Sequence, residues 1–192
     1  LEGTPTLEIE GGKVDKKSIA TTRSFESEIS SLDDLIERIT TFSMVASKKL
    51  RRQNSECNMI SVFIRSNPFK KDSERSHFSL TRTLPFSTNS SIEISKFAVK
   101  LLKKIYSKNK SYKKAGIILM GLSPQSTHQF SLFDQNIDKQ KKLMRSIDSI
   151  DNKYGLYKVR LASQDQKRIW KMKRQKLSRN YTTEIDEVLI VK

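Results

Sequence analysis

Between Ile19 and Leu122 the apolar residues change period again and again, and that succession limits the available folds more than any total does. IATTRSF (19–25) is rich in β-branched residues and ends on an aromatic, the pattern of a strand. Ser30-Ser31-Leu32-Asp33-Asp34 then supplies hydroxyls where a helix needs its first amides capped, and carboxylates where the positive end of the helix dipole favours them. Leu32, Leu35, Ile36, Ile39, Phe42, Val45, Ala46 and Leu50 follow at intervals of three and four. They predict a helix of about five turns that stops near Asn54. MISVFIRS (59–66) and HFSLTRTLPF (77–86) read as strands, closed by Asn67-Pro68 and by Pro85 and joined by a charged hairpin loop over 70–75. Ser90-Ser91-Ile92-Glu93 opens a second helix, with Ile94, Phe97, Ala98, Leu101, Leu102 and Ile105 as its stripe, and YKKAGIILMGL (112–122) is a last apolar strand.

Strand, helix, strand, strand, helix, strand is the order of a split βαβ sandwich. The predicted fold class is therefore α+β, a four-stranded sheet (βαββαβ) with two helices on one face. The other face is left open. Side chains alternate across a strand, so one parity goes to the helices and the other to solvent or a ligand. On the third strand Phe78, Leu80 and Leu84 should face the helices and Ser79, Thr81 and Thr83 should face outward. Arg82 falls on the helix-side parity and is expected to bend to an edge.

Charge then narrows the partners. The net charge is +16, divided as −3 over residues 1–15, +12 over 16–122, zero over 123–151 and +7 over 152–192. Such an excess on a folded segment destabilises it by self-repulsion and makes most sense beside a polyanion, with nucleic acid ahead of an anionic membrane. No apolar run has spanning length, so no membrane partner is expected. Cys57 is the one cysteine, which leaves no disulfide or thiolate metal site and fits a reducing cytosol. His77 and His128 lie far apart with no matching carboxylate pattern, so no metal and no cofactor are expected. Arg23, Arg65, Lys70, Lys71, Arg75, Lys113 and Lys114, with the outward hydroxyls of Thr81 and Thr83, are the candidate phosphate contacts. The basic run Lys48-Lys49-Leu50-Arg51-Arg52 stabilises a helix C-terminus whatever else it does, and reads first as a solvated helix end and second as a phosphate contact.

Outside this block the chain divides into a tether over 1–18 with a Gly11-Gly12 joint, a linker over 123–141 and a small basic α/β module over 142–192. The linker contains Gln129-Phe130-Ser131-Leu132-Phe133 directly after the loop-like Pro124-Gln125-Ser126-Thr127-His128. Either Phe130, Leu132 and Phe133 fold back onto the domain, or the stretch docks as an extended peptide with alternate side chains in pockets of a partner. Burying Leu132 and Phe133 would contribute about 1.5–3 kcal/mol each, enough for affinity near micromolar, about −8 kcal/mol, after the loop is ordered. In the module, 139–150 reads as a short amphipathic helix broken at Asn152-Lys153-Tyr154-Gly155, 159–162 as a strand, and Tyr181-Thr182-Thr183 with Val188–Val191 as extended. KRIWKMKRQKLSR (167–179) sets Trp170 and Met172 among seven bases, suited either to a small core or to stacking on a nucleic-acid base.

Thr22-Arg23-Ser24-Phe25, SSLDDL (30–35), LRRQN (50–54), VFIRSNPF (62–69), TLPFSTN (83–89) and YKKAGIIL (112–119) resemble the little-finger domain of the UmuC-type Y-family DNA polymerases. QFSLFD (129–134) resembles their sliding-clamp-binding motif, and WKMKRQKLSRNYTT (170–183) the short module that closes UmuC chains. The resemblance implies an error-prone translesion polymerase of the SOS response, bacterial and cytoplasmic, whose little finger lies against the template-primer duplex. Gln129, Phe130, Leu132 and Phe133 would then occupy the pocket of the bacterial sliding clamp, with Phe130 where an aliphatic residue is more usual. It also implies the UmuD′ dimer and the recombinase RecA as partners, and catalysis by palm carboxylates holding two Mg²⁺ ions. A start at Leu1 within a strand-like approach reads as a fragment, one expected to bind but not to polymerise. The alternative from another class is a free-standing basic adaptor that binds nucleic acid and a protein without catalysis.

Overall fold

The computed structural model describes residues 15–69, 76–127, 137–155, 158–164 and 177–188. The elements are β1 (Ile19–Ile29), α1 (Leu32–Arg52), β2 (Ser55–Arg65), β3 (His77–Thr88), α2 (Ser91–Ile105), β4 (Tyr112–Pro124) and α3 (Ile137–Tyr154), with 3-10 turns at Gln125–Thr127 and Ile185–Glu187. The sheet order is β1-β4-β2-β3 and every neighbouring pair is antiparallel. Strands β1 and β2 therefore run parallel with β4 between them, and β3 and β4 run parallel with β2 between them. Each of α1 and α2 crosses over one intervening strand, the split arrangement that the element order predicts.

Both helices start as their sequences dictate. The Ser31 hydroxyl accepts from the Asp34 amide at 3.3 Å and the Ser90 hydroxyl from the Glu93 amide at 3.5 Å. Helix α1 ends at Gln53, and Asn54 takes φ +54°, a left-handed turn that Asn tolerates better than most residues. Its buried stripe Leu35, Ile39, Phe42, Ala46 and Leu50 packs with Ile94, Ala98, Leu101 and Leu102 of α2 over Ile60, Val62 and Ile64 of β2 and Ala115, Ile117 and Leu119 of β4. Cys57 lies in the same core; burial pushes its thiol pKa up to about 12.

Several strands outrun the sequence reading. β1 continues past Phe25 to Ile29 through a register shift after Ser24, and both Phe25 and Ile29 are buried although the polar residues Glu26, Ser27 and Glu28 separate them. β2 begins at Ser55, four residues early. β3 does not close at Pro85 but runs to Thr88 across a register shift between Cys57–Thr88 and Met59–Thr83. It is an edge strand, where a missing amide hydrogen is harmless. The edge also explains Arg82, which is exposed despite its helix-side parity. Residues 158–164 form bends and turns rather than the strand expected at 159–162, and Tyr181–Thr183 forms a turn rather than an extended run.

Candidate nucleic-acid interface

Residues paired across an antiparallel ladder share a face, so the register writes out the open side of the sheet row by row. Ser24, Lys114, Arg65 and His77 form one row across all four strands. Thr22, Gly116, Phe63 and Ser79 form the next, then Ala20, Ile118, Ser61 and Thr81, then Met120, Met59 and Thr83. None of these residues is acidic. The face grades from thioethers and Ile118 at one end, through hydroxyls, to cations at the other.

Gly116 sets the relief of this surface. A Cβ there would stand 2.6 Å from Cε1 of Phe63 and from Cγ2 of Thr22, so the Phe63 ring lies across the β4 backbone where no side chain rises. The His77 ring meets Phe63 edge-on with centroids 6.0 Å apart. Thr81 donates to the Ser61 hydroxyl at 2.9 Å, tying β3 to β2 on the open side. Arg65 and Lys114 stand directly opposite one another, and among the described residues no carboxylate pairs with either. Like charges directly opposite are destabilising, and an anion laid over this row would relieve the repulsion. Beside it Arg65, Ser66, Pro68, Ser76 and His77 line a depression of about 330 Å³.

The predicted contacts separate on this map. Arg65, Lys114, Thr81 and Thr83 come together on the open face. Arg23 does not: its partner is Ala115, a helix-side residue, and it sits near Lys49 at the end of α1. The Lys49 pKa is lowered by burial first, then by the charges of Lys16 and Arg23, so these cations form a second group at the β1 edge. Lys113 donates to the Glu26 carbonyl at 2.7 Å on the irregular part of β1. Lys70, Lys71 and Arg75, like Gln129, Phe130, Leu132 and Phe133 and the Trp170 region, lie outside the described residues. Phe63, Gly116, His77, Ser24 and Thr22 escaped the sequence reading; their strand parity was readable, but their place in the rows depends on strand order.

The helix side is closed by α3, which runs from Ile137 to Tyr154 and stops before Gly155 at φ +90°. Met144 and Ile147 are buried, and the Met144 sulfur accepts from the Ser91 amide at 3.4 Å. Arg51 makes two bonds to Asp148, at 2.6 and 2.8 Å, and donates to the Asn89 carbonyl at 2.8 Å and the Ser91 hydroxyl at 3.1 Å. Lys48 meets Asp151 at 3.0 Å and Lys141 meets Glu56 at 3.5 Å. The basic run closing α1 is therefore neither simply solvated nor offered whole to phosphate: Lys48 and Arg51 clasp α3, while Lys49 and Arg52 stay exposed. Among the described residues no cluster of His, Cys, Asp and Glu could hold a metal ion, and no helix is long and apolar enough to cross a membrane.

The chain resembles several known proteins. Residues 16–132 match the impB/mucB/samB family C-terminal domain, and residues 141–191 match a domain of unknown function, DUF4113. The chain is 33% identical over 194 residues to Protein UmuC of Salmonella typhimurium, covering 100% of this chain and 46% of that protein. Protein ImpB of Salmonella typhimurium is 30% identical over 95% of this chain and 43% of its own length. The chain thus spans less than half the length of these curated relatives. Among solved structures, a complex of β-clamp processivity factor and the little finger domain of PolIV aligns with TM-score 0.40 and 13% identity over 60% of this chain and 98% of that one. An insertion ternary complex of Dbh DNA polymerase aligns with TM-score 0.47 and 13% identity over 56% of this chain and 29% of that one. By the match of residues 16–132, which spans more than half of the chain, the chain belongs to the impB/mucB/samB family and carries that family's C-terminal domain.

Proposed function

We propose that this chain is the DNA-holding and clamp-holding C-terminal region of an error-prone translesion DNA polymerase acting in SOS damage tolerance. The observation that carries the reading is the set of paired rows on the open sheet face, none of which contains a carboxylate and one of which sets Arg65 opposite Lys114. A template-primer duplex lies along that face. Arg65 and Lys114 take backbone phosphates, and Thr81, Thr83 and Ser24 donate to phosphate oxygens; Lys70, Lys71 and Arg75, outside the described residues, are further candidate phosphate contacts by sequence. Contacts of this kind fix position without reading sequence, which is what a polymerase needs on an arbitrary template. Arg23 and Lys113 contribute at longer range. Nucleotidyl transfer belongs to palm carboxylates and their two Mg²⁺ ions, for which the described residues offer no donor set.

Gln129, Phe130, Leu132 and Phe133 dock on the sliding clamp in this reading, and the UmuD′ dimer and RecA complete the assembly. Two weak attachments on one chain reinforce each other through effective concentration. The duplex test is fluorescence anisotropy with a labelled primer-template. Arg65→Glu with Lys114→Glu should weaken binding by at least about tenfold and lower the salt slope by about two contacts; unchanged affinity and slope would exclude the open face. For the clamp, Leu132→Ala with Phe133→Ala should abolish micromolar binding to a bacterial clamp while leaving duplex affinity intact, and retained binding would rule the motif out.

A further inference from the structure

We infer that the groove between α1 and α3 is a docking site for an acidic peptide carrying one bulky aliphatic or aromatic anchor. The groove encloses about 230 Å³, below the roughly 300–1,000 Å³ of small-molecule sites and suited to a single large side chain. Met44 and Val45 of α1, Ile147 of α3 and Val159 give it an apolar lining. Val45 belongs to the apolar periodicity of α1 yet is only half-buried, because it faces this groove rather than the sheet. The apolar surface continues along α3: Leu143, Ile147, Ile150 and Tyr154 fall on one helical stripe, and Leu143, Ile150 and Tyr154 are exposed at 45%, 37% and 59%.

The rim decides the occupant. Lys48 and Arg51 are neutralised there by Asp151 and Asp148, whereas Lys49 and Arg52 are exposed and enter no ion pair among the described residues. Lys16 and Arg23 add positive charge beside Lys49. Such a rim repels the basic segment 167–179 of this chain with its seven bases, and repels a second copy at +16. Nucleic acid gains nothing from an apolar floor. A carboxylate-rich segment with a Leu or Phe satisfies rim and floor together, the anchor-plus-charge logic of peptide recognition.

The test uses the full chain and fluorescein-labelled short peptides at about 150 mM salt, which screens diffuse attraction. One peptide has Asp and Glu around a central Leu-Phe pair, a second has Ala-Ala in its place, and a third has Lys for every acid. Saturable binding of the first is expected, weakened by about tenfold or more in the second and third peptides and in the variants Val45→Asp and Lys49→Glu/Arg52→Glu. The rim variant touches only exposed side chains, so it decides the matter should Val45→Asp fail to fold. Equal binding of the Ala-Ala peptide would reduce the effect to charge alone. That result, unchanged affinity in the rim variant, or no binding at all would overturn the assignment. Primer-template affinity of folded Val45→Asp should stay at the wild-type value, so the groove and the duplex face fail or stand separately.

Discussion

The two sides of the sheet treat the same residue types in opposite ways. On the helix side, Arg51 and Lys48 meet Asp148 and Asp151, carboxylates about a hundred positions away in sequence, and each cation is neutralised. On the open side, Arg65 faces Lys114 with no acid in the row. Composition cannot distinguish these cases, because both are bases at the ends of apolar elements. What separates them is whether the fold brings a carboxylate opposite. A positive patch therefore points to a ligand only after intramolecular pairing has been subtracted.

The largest effect should come from breaking the closed side. Asp148→Ala strands Arg51 in a pocket where its side chain is 11% exposed, and loss of one partner of such a pair should cost about 3 kcal/mol. Urea unfolding measures this, and restoring stability with Arg51→Met in the same chain would confirm that the loss is an uncompensated charge; additive losses would refute the coupling. Next comes Gly116→Ala on the open side. With Phe63 and Thr22 both 2.6 Å from the new methyl group, overpacking should cost about 2 kcal/mol and lift the Phe63 ring, lowering duplex affinity as well. A variant of wild-type stability would mean that the ring is not held against β4. The smallest effect probes how dry the closed side is. The Cys57 thiol has an ordinary value of 9.0 and a folded value of about 12. Between these values the unfolded chain releases a proton that the folded one keeps, so stability is fully present below pH 9 and falls as pH rises. At pH 10 the loss should be about 1 kcal/mol. Cys57→Ala should abolish this increment in pH-resolved unfolding, and a pH-independent wild type would show the thiol to be hydrated.

Much of the fold was readable because its determinants are local. Two Ser caps, two apolar stripes and the strand parities of Thr81 and Thr83 follow from neighbours within a few residues. What escaped depends on distant partners. Pro85 reads as a strand end until β3 is known to be an edge. Arg23 reads as a surface contact, and only its pairing with Ala115 puts it on the helix side. Glu26, Ser27 and Glu28 hide the fact that β1 continues, because a bulge breaks the alternation that marks a strand. The α1–α3 clasp was beyond reach for the same reason: no local pattern links Arg51 to Asp148. Of the candidate duplex contacts, parity brought out Thr81 and Thr83, but the opposition of Arg65 and Lys114 required strand order.

The irregularities in the two outer strands have one more consequence. A sheet with free borders is a template for another chain, since unpaired amides and carbonyls invite further strands. Here β1 is bent out of register after Ser24, and β3 is interrupted by Pro85 and by its jump between Thr83 and Thr88. The regular free rows are thereby limited to Ile19–Ser24 on one border and His77–Thr83 on the other, which restricts strand addition without covering the open face.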